Sequence, residues 1–79
     1  MRDYYDQRED VYDRVCVIKK AGSEEGVEAE VIRFEPKDFL LVSIDREVRI
    51  HLAWDSFCQE YLGEKYRMEF TSKGPEKLK

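Results

Sequence analysis

Short apolar segments alternating on a period of two recur five times along this chain, and that rhythm limits its fold more than any other feature. Val48, Ile50 and Leu52 alternate with Glu47, Arg49 and His51, and Tyr66, Met68 and Phe70 alternate with Arg67, Glu69 and Thr71. Successive side chains on a strand point to opposite faces, so each segment has one dry and one wet side. Seventy-nine residues leave room for one domain. A small antiparallel barrel or sandwich is expected.

The pattern predicts strands over 14–20, 27–34, 39–44, 47–53 and 65–72. In the first, Val15 and Val17 point one way and Cys16 and Ile18 the other; the expected core takes Val15 and Val17. Gly22 and Gly26 bracket a polar stretch, which suits a hairpin because glycine enters positive φ freely. The second strand opens with Val27, Ala29 and Val31 inward and Glu28 and Glu30 outward. Ile32 and Phe34 then break phase, which predicts a bulge or bend near Val31. Pro36 marks the next turn. Phe39–Ile44 is apolar nearly throughout, as a central strand covered on both faces would be. Asp45-Arg46 lacks the glycine that two-residue hairpins prefer, so a slightly longer turn is expected there.

The period then changes. Ser56 with Gln59 three residues on fits a capping box, Phe57, Tyr61 and Leu62 share one helical face, and Gly63 sits where a left-handed terminator belongs. This predicts one helix over 56–62. The remaining expected core is Val31, Leu41, Val48, Ile50, Leu52, Phe57, Met68 and Phe70. Four meandering strands, a short helix and a closing fifth strand resemble the order of SH3-like barrels. The expected class is mainly β, a five-stranded antiparallel SH3-like barrel with one helix between strands four and five. Its limits are an acidic arm at 1–13, the barrel at 14–72 and a basic tail at 73–79.

Formal net charge is −4, and charged residues are 41% of the chain. That balance disfavours a dedicated nucleic-acid binder, which usually carries a basic stripe. No apolar run approaches the roughly 18–20 residues of a membrane span. Met1-Arg2-Asp3-Tyr4-Tyr5-Asp6 has no apolar stretch of signal-peptide type. A soluble, cytoplasmic protein is expected, with Cys16 and Cys58 as buried, reduced thiols.

No motif for catalysis or cofactor binding stands out. His51 is the only histidine. With Cys16 and Cys58 it makes no set of closely spaced metal ligands. No cofactor or metal is expected, and the protein is read as non-enzymatic. The acidic residues are more informative. Glu24, Glu25, Glu28 and Glu30 share one hairpin, and the arm adds Asp3, Asp6, Glu9, Asp10 and Asp13. A solvated face that keeps a small protein soluble accounts for them. The sharper reading is an inhibitor or adaptor meeting a basic site on a partner protein, with Glu24, Glu25, Glu28, Glu30, Asp6 and Asp10 as contacts. The competing site is the basic and aromatic C-terminal half, with Arg46, Arg49, His51, Trp54 and Arg67 set to hold nucleic acid or a nucleotide. Self-association through edge strands ranks third.

Overall fold

The computed structural model describes residues 11–78. The strands are β1 (Val15–Lys20), β2 (Gly26–Glu35), β3 (Phe39–Ile44), β4 (Val48–Asp55), β5 (Glu60–Lys65) and β6 (Met68–Ser72). Each pairs antiparallel with the next, and β6 returns to β1 to close the barrel. An even number of strands in a meander makes this closure antiparallel. Successive turns therefore alternate between the two ends. Turns 21–25, 45–47 and 66–67 share one end; turns 36–38 and 56–59 share the other with residues 11–13 and 76–78.

The mainly-β barrel holds, while the five-stranded plan with a helix does not. Six strands close the barrel and no helix occurs among the described residues. The expected helix over 56–62 is a four-residue turn followed by β5. Asp55, not Ser56, caps it. The Asp55 carboxylate accepts from the backbone N–H of Phe57 at 2.8 Å and of Cys58 at 3.2 Å, and Gln59 N–H donates to Asp55 O at 2.7 Å. Gln59 then adopts φ 61° and reverses the chain. A two-turn helix repays its nucleation cost poorly. As a strand, the same sequence buries Tyr61 inside the barrel opposite Ser72. Phe57, expected in the core, is 94% exposed at the turn tip.

Gly63 is likewise not a helix terminator. It lies within β5 opposite Phe70, and a Cβ there would press into the carbonyl oxygen of His51 and the side chain of Leu52. The expected last strand over 65–72 starts only at Met68. Tyr66 and Arg67 form a two-residue turn with φ 55° and 62°, as a type I′ hairpin requires. The other turns are nearer expectation. Three residues separate Ile44 from its partner Val48, and the bulge near Val31 falls between Val31 and Arg33.

The core is Cys16, Ile18, Ala29, Leu40, Val42, Ile50, Leu52 and Tyr61. Val31, Val48 and Phe70 pack against it half-buried. Strand one faces the opposite way to expectation: Ile18 is 2% exposed and Val17 is 53%. Register explains the inversion. Cys16 pairs with Ala29, whereas Val15 and Val17 pair with Glu30 and Glu28. Turning the valines inward would carry two carboxylates into the barrel, and burying an unpaired charge costs more than exchanging one apolar pair for another. Leu41, also expected inside, is half-buried on the outer side of β3; its neighbours Leu40 and Val42 fill the interior. Met68 is half-buried at the start of β6.

At that second end, residues 11–13 run antiparallel to 76–78. Asp13 N–H donates to Glu76 O at 2.9 Å, Leu78 N–H donates to Val11 O, and Tyr12 bridges Lys77. An aromatic series covers that end. Tyr12 meets Phe34 edge-on at 4.9 Å, Phe34 meets Tyr61 at 5.5 Å, and Tyr61 meets Trp54 at 4.9 Å. The Tyr61 hydroxyl accepts from Lys37 N–H at 2.9 Å, which satisfies the polar end of a buried ring.

Candidate functional site

The β1–β2 hairpin brings the acidic residues to one side. Its loop turns at Gly22, with φ 87°, and is pinned by Ser23 N–H to Lys20 O at 2.9 Å and by Glu25 N–H to the Ser23 hydroxyl at 3.2 Å. Glu24 and Glu25 are exposed in that loop, and Glu28 and Glu30 are exposed along β2. Asp6 and Asp10, the other expected contacts, lie outside the described residues.

Beside this hairpin the barrel wall opens. β1 pairs with β6 at Lys19 with Thr71 and Lys20 with Phe70, and Ala21 N–H reaches Glu69 O at 2.8 Å. Towards the other end, β1 and the chain after Ser72 separate. They meet again where Asp13 bonds Glu76. The gap is a groove of about 370 Å³ with Val15, Cys16 and Val17 on one wall and Thr71, Ser72 and Gly74 on the other. Asp13, Glu28, Glu60 and Glu76 are among its lining residues, as are Lys19 and Lys73.

Ser72 stitches the gap. It is 4% exposed; its hydroxyl donates to Val17 O at 2.8 Å and accepts from Gly74 N–H at 3.0 Å. The same hydroxyl lies 3.9 Å from Cys16 Sγ. Burial pushes the Cys16 thiol pKa up, the charge of Asp13 adds to the rise, and the Ser72 contact opposes it. Cys16 is therefore a protonated wall residue rather than a thiolate nucleophile. Cys58 departs from its expected burial. It is exposed in the 56–59 turn.

The competing set divides. Arg46 and Arg67 are exposed in two turns at one end, both with left-handed φ. Arg49 and His51 are exposed on the outer side of β4. Trp54 is half-buried against Tyr61 near the other end and packs on the core. Two residues not picked from the sequence join His51. The Phe39 ring stacks on the imidazole with centroids 5.4 Å apart and planes 13° apart, and the Arg33 guanidinium lies 5.8 Å from the Phe39 centroid. The column crosses β2, β3 and β4, and only cross-strand register could have revealed it. Among the described residues, no group of three or more His, Cys, Asp or Glu is arranged to hold a metal ion. No helix there is long and apolar enough to cross a membrane.

No protein-family model, curated protein or solved structure matches this chain.

Proposed function

We propose that this protein is a non-enzymatic binding module, an inhibitor or adaptor, whose acidic hairpin face engages a basic site on a partner protein. One observation carries the reading: Glu24, Glu25, Glu28 and Glu30 are all exposed along a single hairpin, and Glu28 continues into a groove with three further carboxylates. Such a face steers a basic partner and raises its on-rate. The arm residues Asp6 and Asp10 carry the same sign of charge. A cytoplasmic setting goes with this reading, because Cys16 and Cys58 are both unbridged thiols.

Reversing charge at Glu24→Lys with Glu28→Lys tests the proposal. Both sites are exposed, so the fold should survive. Surface plasmon resonance against a partner copurified at low salt should show a slower on-rate. The gap from wild type should close as salt rises. An unchanged on-rate at low salt overturns the proposal.

The Arg33–Phe39–His51 column supports a second reading, nucleic-acid or nucleotide binding on the outer face of β2–β4 with Arg49 alongside. Arg33→Glu with Arg49→Glu, both on that face, would then abolish binding while the glutamate reversals leave it unchanged or improved. Self-association through edge strands has less to draw on, since every described strand has two neighbours.

A further inference from the structure

We propose that the groove between β1 and the chain after β6 is a slot for one arginine or lysine side chain of the partner. The inference rests on the acidic-face reading above and says where on that face the partner is anchored. The slot is closed at both ends by backbone pairing, Lys19 with Thr71 at one and Asp13 with Glu76 at the other. An added strand cannot run through it, so an occupant enters side chain first. Its volume of about 370 Å³ is ample for one long side chain and falls in the range of roughly 300–1,000 Å³ typical of small-ligand sites.

The lining matches the two parts of a basic side chain. Val15 and Val17 offer apolar surface for a methylene stem, as long cationic side chains prefer. Asp13, Glu28, Glu60 and Glu76 reach the slot from four separate segments of the chain. Lys19 and Lys73 supply two opposing charges, so carboxylates are in excess. Glu28, Glu60 and Glu76 are held in no ion pair among the described residues. A guanidinium or ammonium arriving here meets carboxylates that have not been neutralised, and arginine can engage them bidentately.

The test is amide shift mapping on the full chain with four probes: acetyl-Gly-Gly-Arg-Gly-Gly-amide, its citrulline counterpart, hexa-arginine and spermidine. Val15, Val17, Ser72 and Gly74 report on the slot; Glu24 and Glu25 report on the hairpin. The arginine peptide should shift the slot reporters saturably, with the neutral citrulline peptide weaker by about tenfold or more. Glu60→Gln with Glu76→Gln should weaken the slot response by about fivefold or more and leave the hairpin response to hexa-arginine intact. Equal binding of the arginine and citrulline peptides overturns the slot. So does hexa-arginine moving only the hairpin reporters, although the acidic face then stands. Hexa-arginine moving no reporter overturns both. Spermidine binding as tightly as the arginine peptide replaces the side chain with a free polyamine.

Discussion

Cys16 and Cys58 carry the same thiol in opposite settings. Cys16 is 6% exposed behind the Ser72 stitch, and Cys58 stands in a turn in the open. A maleimide reagent on the native protein should therefore label Cys58 quickly and Cys16 only after unfolding; equal labelling rates would contradict the burial of Cys16. The raised thiol pKa also has a signed consequence. Between the ordinary thiol pKa, about 8.5, and the higher folded value, the folded chain holds a proton that the unfolded chain releases. The associated stability is complete below that ordinary value and is lost as pH climbs through the folded one. Denaturation midpoints of Cys16→Ala should thus fall less steeply on the alkaline side than those of wild type, whatever the variant loses at neutral pH from its smaller side chain.

Among the elements, β4 was the most legible, because only one phase of its alternation leaves Arg49 and His51 outside; β3, apolar nearly throughout, was legible as a strand but not in its phase, and Leu41 faces out. β1 was not, since Val15-Cys16-Val17-Ile18 is apolar on both faces and only pairing with Glu28 and Glu30 decides between them. The segment at 56–62 misled for a different reason. Ser56, Gln59 and Gly63 each suit a helix locally, but the barrel needs a fifth strand there and fills its interior with Tyr61. The acidic hairpin was legible as charge. The groove beside it was not, because it exists only where β1 and β6 fail to stay paired. The turns give direct tests of the strand assignment. Asp55 satisfies two backbone donors of the 56–59 turn, so Asp55→Ala should cost about 0.5–2 kcal/mol, the worth of a cap. Tyr66 and Arg67 sit at left-handed φ without being glycine or asparagine. Replacing the pair with Asn-Gly should stabilise by about 1 kcal/mol, since a type I′ turn prefers those residues. Thermal melts read both effects. A helix at 56–62 would instead make Ser56→Ala the costly change and Asp55→Ala the mild one.

Across the whole molecule, the pairing is uneven around the barrel. β3 and β4 share six residue pairs from Phe39–Ala53 to Ile44–Val48, whereas β1 and β6 share two. The closing seam is thus the weakest join in the ladder, and the buried Ser72 hydroxyl supports it by serving Val17 O and Gly74 N–H together. Removing that hydroxyl leaves two part-buried backbone groups without their protein partner, at a combined cost of about 1–3 kcal/mol because water replaces part of what is lost. Ser72→Ala should lower stability by an amount in that range. Native-state hydrogen exchange localises the loss. In wild type, amides of β3 and β4 should exchange slowest and those of Val15, Val17 and Gly74 fastest among the strand-associated amides, because local opening follows the thinnest pairing. In the variant, Val17 and Gly74 should accelerate well beyond the change at Val42 and Ile50 as the seam parts before the barrel unfolds. Uniform acceleration at all four would show that the barrel opens only as a whole and that Ser72 acts on global stability rather than on its closure.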